Sequence, residues 1–315
     1  MKRKLTLTPA DSGLRIDQYL AREMSEQSRS FLQKLIKSGR VVLNNEVVAS
    51  SKLSLPANGV IYVDLPEITV SETPEPEEFT FELLYEDSFM AVINKPPGVV
   101  VHPAPGNPDG TVVNAILGRY PELRSAELPD GSRPGIVHRL DKDTSGCLVV
   151  ARTAASQAKL CEAFAERQTA KTYLALTVNA PKSPRGRIEN LIGRHPVNRQ
   201  KMAIVKNNGK IAISEYEVLG SAILNTLKVS LIKVRIYTGR THQIRVHLAS
   251  LNCPVLGDEL YGGVRSACPV PRQMLHAWKL QIPHPVSGEI LKMQAPLPED
   301  FKALYESLLQ AQKLQ

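Results

Sequence analysis

A break near residue 70 constrains this chain more than any other feature of its sequence. From Pro66 onward, and through Thr73-Pro74-Glu75-Pro76-Glu77-Glu78, prolines alternate with acids. Proline has no amide hydrogen to donate, and repeated like charges favour an extended chain, so a helix or an interior strand is not expected here. The chain is therefore expected to fold as two bodies: a small one over residues 1–66 and a large one over 79–315, joined by an acidic linker over 67–78. At 315 residues, with 43% hydrophobic and 22% charged, it has enough apolar material for both.

In the small body, Arg15-Ile16-Asp17-Gln18-Tyr19-Leu20 opens a helix. Ser28 is placed to cap a second, in which Phe31, Leu32, Leu35 and Ile36 recur at helical spacing, and Gly39 stops it. Val41-Val42-Leu43, Asn44-Asn45 and Val47-Val48 read as a hairpin, because asparagine tolerates the positive φ of a two-residue turn. Arg29, Lys34, Lys37 and Arg40 set positive charge beside the apolar face. The order helix, helix, glycine, hairpin resembles the alpha-L RNA-binding domain first seen in a ribosomal small-subunit protein, and the resemblance implies that these four cations contact RNA.

The large body mixes strand-like runs (90–93, 147–151, 173–178, 227–236) with helical ones (154–167, 301–312), without a βαβ rhythm. The expected fold class is α+β: a large mixed, mainly antiparallel sheet with flanking helices. Its most charged loop is Gly135-Ile136-Val137-His138-Arg139-Leu140-Asp141-Lys142-Asp143-Thr144-Ser145-Gly146, running into the apolar Cys147–Ala151. A buried strand at one end holds Arg139 and Asp141 near the surface, two apart and so on one side of an extended segment.

This loop resembles the signature of the RluA-type pseudouridine synthases, whose catalytic aspartate follows His-Arg-Leu. Further segments match in the same order: Asn94-Lys95-Pro96-Pro97-Gly98, Lys171-Thr172-Tyr173, Thr238-Gly239-Arg240-Thr241-His242-Gln243-Ile244-Arg245, Gly257-Asp258-Glu259-Leu260-Tyr261-Gly262 and Leu275-His276-Ala277. Gly106–Ala115 and Arg194-His195-Pro196 look closest to the RluD branch, which acts on large-subunit ribosomal RNA. The resemblance implies that Asp141, Tyr173 and Arg245 are catalytic: the carboxylate that acts, the aromatic that stacks on uracil, and the arginine paired with the carboxylate. A cation within about 4 Å favours the ionised carboxylate. Arg139, which can fill the place of a flipped base, is expected at the substrate with His138, Thr241, His242 and Leu275.

The reaction so implied breaks the C1'–N1 bond of uridine, turns the uracil and rejoins it through C5. Asp141 serves either as nucleophile at C1' or as base at C2', and no redox or metal cofactor is expected. His242 and His247 lie five apart, so they diverge by roughly 140° on a helix and are not expected to share a metal. The better reading is a helix entered through Thr241, burying Ile244, Leu248 and Leu251 and ending at Asn252.

Charge agrees with an RNA partner. The formal charge is +8, but eight acids and no Lys or Arg lie between Glu67 and Asp87; the remainder holds 39 bases against 23 acids, or +16. Four scattered cysteines with no C-x-x-C pair point to reduced thiols in a cytosol. Met1-Lys2-Arg3-Lys4 is followed by no apolar core of a signal, and no run of 18 apolar residues occurs, so neither export nor a membrane is expected. The expected working form is a monomer. Two rival readings compete with the enzyme: an RNA-binding assembly factor without catalysis, and a haloacid-dehalogenase-type phosphatase built on Asp141-Lys142-Asp143-Thr144. The phosphatase pattern needs an apolar strand ahead of the first aspartate, whereas here the strand follows. Asp143 is read as a loop-capping residue.

Overall fold

In the computed structural model of the chain, the described residues are 2–24, 29–65, 74–103, 107, 109–124, 134–198, 200–264 and 266–313. They form two compact units, the second beginning at Pro74.

The first unit contains β1 (Lys2–Leu7), α1 (Ile16–Glu23), α2 (Arg29–Lys37), β2 (Val41–Leu43), β3 (Glu46–Val47) and β4 (Gly59–Asp64). The hairpin forms as expected, with Asn44 and Asn45 at φ 49° and 69°, and Gly39 takes φ +72° after α2. Ile16, Leu20, Leu32, Ile36, Val41, Ile61 and Val63 make the core. Beyond the expected hairpin, β1 and β4 extend it to an antiparallel sheet in the order β1-β4-β2-β3. Lys2–Leu7 carries only two leucines among cations and threonine, so its alternation is too short to read as a strand. Ser28, the expected cap of α2, falls outside the described residues.

The second unit contains β5 (Glu82–Glu86), β6 (Met90–Lys95), α3 (Val112–Arg119), β7 (Ser145–Ala151), α4 (Ala154–Ala165), β8 (Ala170–Val178), β9 (Arg185–Arg194), β10 (Met202–Ile204), β11 (Lys210–Leu224), β12 (Leu227–Ile236), α5 (Gln243–Ser250), β13 (Leu275–Pro283), β14 (Ile290–Gln294) and α6 (Glu299–Lys313). The sheet runs β10-β9-β11-β12-β8-β13-β7-β6-β5, with β14 on β13. Its pairs are antiparallel except β13 with β7, where His276 faces Ser145 and Ala277 faces Gly146. The fold is therefore α+β with a mixed, mainly antiparallel sheet.

Alternate residues of its central strands feed opposite faces. Ala91, Ile93, Leu148, Val150, Tyr173 and Ala175 join Ile116 of α3 and Ile244 and Leu248 of α5. Met90, Val92, Cys147 and Val149 join Leu160 of α4, while Leu174 and Leu176 join Phe301 and Leu308 of α6. Helices on both faces explain why β7 is buried along its whole length.

The acidic stretch differs in part from the expected linker. Residues 66–73 lie outside the described set, but Pro74–Glu78 is not free chain. The Asn114 side chain of α3 donates to the Glu75 carbonyl at 2.7 Å, the Glu77 amide donates to the Asn114 carbonyl at 3.0 Å, and the Glu77 carboxylate accepts from the Gly110 amide at 2.9 Å. Proline blocks ladder bonds but does not prevent the neighbouring groups from docking on a helix.

Candidate active site

The loop ahead of β7 is fixed at both ends before it presents Asp141. At the start, the His138 Nε2 accepts from the Val149 amide at 2.9 Å, and its ring stacks on Phe164 of α4 at 4.5 Å. Burial pushes the His138 imidazole down to about 3, so it stays neutral and keeps this acceptor. His138 thus braces the loop through Nε2 and one ring face, and the residue is half-buried. At the far end, Gly146 takes φ +107°, and a Cβ there would run into the Ala277 carbonyl of the parallel strand.

Between these ends the loop backbone is held by buried cations. The Lys95 Nζ donates to the carbonyls of Pro96, Val99 and Lys142 at 2.7, 2.9 and 2.8 Å. Burial pushes this ammonium down to about 7, but three acceptors take three hydrogens, which only the charged form carries. Arg272, locked on the Asp300 carboxylate at 2.6 and 2.8 Å, donates to the Asp143 carbonyl at 2.9 Å. The Thr144 amide donates to the Asp141 carbonyl at 3.1 Å and closes a turn over Lys142 and Asp143, so Asp143 lies within the loop turn.

Asp141 emerges from this frame with its side chain 21% exposed and one oxygen 3.0 Å from the Arg245 guanidinium. Arg245 is buried and bidentate on Asp258, at 2.7 and 2.9 Å, and the Asp258 side chain has no exposure at all. Asp258 in turn accepts from the Leu260 and Tyr261 amides. The two carboxylates hold the guanidinium strongly in its charged form. The Tyr261 ring lies 5.1 Å from the guanidinium carbon, and its hydroxyl bonds the His242 Nδ1 at 2.9 Å.

The helix carrying Arg245 begins differently from expectation. His242, not Thr241, precedes its first turn, in the left-handed region at φ 56°. The Gln243 side chain ties this start to the preceding loop: its oxygen accepts from the Arg240 amide at 3.0 Å and the Thr238 hydroxyl at 2.7 Å. Thr241 is exposed just ahead of the helix, and Leu251 is half-buried. Asn252 ends α5 as expected, at φ 59°.

Tyr173 of β8 lies in the same apolar cluster as Leu140 and Leu275. Burial, reinforced by the charge of Asp141, pushes its phenol well above the usual range, so it stays protonated. His242 is pushed down chiefly by burial, with the Asp141 charge opposing. Asp141, Arg245, His242 and Tyr173 therefore lie together, Leu275 supplies apolar wall, and Arg139 is exposed on the loop. In the first unit, Lys37 and Arg40 are exposed, and Arg40 is paired with Asp64 at 3.1 Å, an exposed pair that a phosphate can readily replace. The Arg29 and Lys34 side chains fall outside the described set. Among the described residues, no group of three or more His, Cys, Asp or Glu is arranged to hold a metal.

Sequence reasoning gave Asp258, Lys95 and Arg272 no role at the site. Asp258 and Lys95 sat in segments noted only for their match to the family; the available signal was a charged residue embedded among apolar or proline neighbours.

The arrangement is a partly exposed carboxylate with its counter-ion fixed from behind, beside the apolar cluster that holds Leu140, Tyr173 and Leu275. The pattern of the RNA pseudouridylate synthase family matches residues 90–250, about half of the chain, and the S4 domain pattern matches residues 14–61. The chain is 42% identical to an uncharacterized RNA pseudouridine synthase of Synechocystis sp., covering 95% of this chain and 90% of that one. It is 41% identical to the ribosomal large subunit pseudouridine synthase D of Xanthomonas campestris pv. campestris, covering 97% and 92%. Among solved structures it is similar to human RNA pseudouridylate synthase domain containing 1, with a TM-score of 0.56 and 28% identity over 75% of this chain and 97% of that one. With the site geometry and the matched residues in agreement, this chain belongs to the RNA pseudouridylate synthase family.

Proposed function

We propose that the protein isomerises uridine to pseudouridine in large-subunit ribosomal RNA, with Asp141 as the reacting carboxylate and neither metal nor nucleotide consumed. The observation that carries this reading is the chain Asp258–Arg245–Asp141, in which a fully buried acid fixes the guanidinium that faces the acting one. Attack at C1' and proton abstraction at C2' both use a carboxylate oxygen, and one oxygen of Asp141 is held 3.0 Å from the Arg245 guanidinium. The uracil leaves as a delocalised anion and stays in the pocket, so one carboxylate suffices where a glycosidase needs two. Tyr173 packs beside the base, and Arg139 takes the vacated place in the RNA stack. The names of the synthase D relatives support the ribosomal substrate, as does the basic balance of the chain outside 67–87.

The test is incubation of the purified protein with unmodified large-subunit RNA in EDTA, followed by detection of pseudouridine. The intact protein is expected to form it, and Asp141→Asn to lose on the order of a thousandfold in rate while keeping its RNA affinity. An active Asp141→Asn protein would overturn the assignment of the acting group. A catalytic demand for Mg2+, distinct from its role in folding RNA, would overturn the metal-free reaction.

A further inference from the structure

Behind Tyr261 lies an open cavity of about 530 Å3 that the reaction described above does not use. Met202 of β10, Val246 of α5 and Tyr261 give it an apolar wall; Ser250, His195 and Lys201 give it a polar and cationic edge. The sequence around β10 is free of acids, whereas on the other side Asp258-Glu259 precedes the lining residue Leu260. Residues 190–214 hold Arg194, Arg199, Lys201, Lys206 and Lys210 and no Asp or Glu.

The cavity and the reacting group share a wall. The Tyr261 hydroxyl accepts from the Met202 amide at 2.8 Å on the cavity side and bonds the His242 Nδ1 at 2.9 Å on the other. The Tyr261 ring lies 5.1 Å from the guanidinium carbon of Arg245, which itself holds Asp141. A single tyrosine therefore separates the cavity from the partner of the acting carboxylate.

We propose that this cavity receives the nucleotide next to the target uridine, its base against Met202, Val246 and Tyr261 and its phosphate toward Lys201. The proposal rests on the reading of the chain as acting on uridine within RNA. With that uridine in the Asp141 pocket, the sugar-phosphate backbone keeps its neighbour within one nucleotide step. The volume lies within the roughly 300–1,000 Å3 of small-ligand sites. An apolar wall with a cationic rim suits a nucleotide, which offers a π-face and a phosphate together; every base has such a face, so the site is indifferent to base identity. An acidic peptide would use the cations and leave the wall empty.

The experiment compares RNA oligonucleotides carrying the target uridine with ones in which either neighbour is an abasic linker. Affinity is read by fluorescence anisotropy and pseudouridine in the same samples, for the intact protein, Lys201→Glu at the rim and Ser250→Phe, which fills the cavity. An abasic linker at one neighbour is expected to weaken binding to the intact protein about tenfold, within the span of base stacking on protein platforms. Each variant should bind the complete oligonucleotide about tenfold more weakly, and Ser250→Phe should show no further loss with the abasic one. Wild-type affinity of Lys201→Glu for the complete oligonucleotide, or abasic linkers without effect at both neighbours, would overturn the proposal even if Ser250→Phe failed to fold. So would polyglutamate binding that Lys201→Glu weakens equally. If the affinity differences hold while the intact protein makes no pseudouridine, the cavity assignment stands and the uridine reading falls.

Discussion

Asp258 carries the largest unrecognised burden of any single residue at the site. Its carboxylate is completely enclosed and takes two of the Arg245 donors, leaving a third for Asp141. Replacing it by asparagine keeps the shape but turns one of two acceptors into a donor aimed at a cation. Arg245 then lacks its rear anchor. Asp258→Asn is expected to lower kcat about 10- to 100-fold with RNA affinity unchanged, since Asp258 is a positioning residue one side chain removed from Asp141. Unfolding in urea should show a loss of about 3 kcal/mol, the scale for breaking a buried ion pair. A normal kcat in the folded variant would mean that Asp141 needs no held partner. Asp141 stood out in the most charged loop of the large body, and Arg245 was reached through the resemblance of its segment to the family. Asp258 meets Arg245 across 13 residues, between a helix and a turn, and one-dimensional periodicity does not reach such a pair.

At the scale of elements, three neutral imidazoles pin the pieces that carry the site. His138 ties the loop to β7. His247 of α5 meets Ser214 of β11 through Nδ1 at 2.9 Å and Asn190 of β9 through Nε2 at 3.1 Å. His276 of β13 meets Ser145 of β7 at 3.0 Å. Burial pushes these groups down to about 3, 4 and 4 respectively. In the unfolded chain an imidazole titrates near 6.5, so between there and about 4 the unfolded state binds protons that the folded state refuses. Stability is full above about pH 6.5 and falls as the pH drops through this window, by up to about 1.4 kcal/mol per pH unit for each histidine. Urea unfolding at pH 7.5, 6.0 and 5.0 measures the slope, and His247→Asn is expected to remove one share of it. An unchanged slope in that variant would show that His247 is not held neutral. The elements were legible where periodicity was long: the runs over 147–151 and 227–236 recur as β7 and β12, and α4 fills most of 154–167. The start of α5 was not, because a left-handed His242 precedes it and a glutamine of its first turn folds back on the loop, instead of a threonine ahead of it serving as entry.

For the whole molecule, the docking of Pro74–Glu78 on α3 sets where the catalytic unit can be cut. Removing residues 1–73 leaves those bonds intact, whereas a cut after Glu78 strips the Asn114 side chain of an acceptor. The protein lacking 1–73 is expected to keep its intrinsic turnover while binding ribosomal RNA more weakly and with a flatter salt dependence, by about 0.7 to 0.9 in the slope for each phosphate that is no longer neutralised. Titrations at several salt concentrations, with intact and shortened protein, read both quantities; equal slopes would mean that the S4 unit neutralises no phosphate. The central position of β13 has a temporal consequence. This strand lies between β8 and β7, which both precede it in the sequence, so the sheet remains in two parts until residues 275–283 are available. Asp141 and Arg245 are brought together across that seam by contacts of long sequence separation, which form late and slowly. A nascent chain still on the ribosome therefore exposes the facing edges of β7 and β8 and has no assembled site. Catalysis becomes available only once residues 275–283 have been made and have paired, and the interval before that is when the chain is most open to mispairing with its own kind.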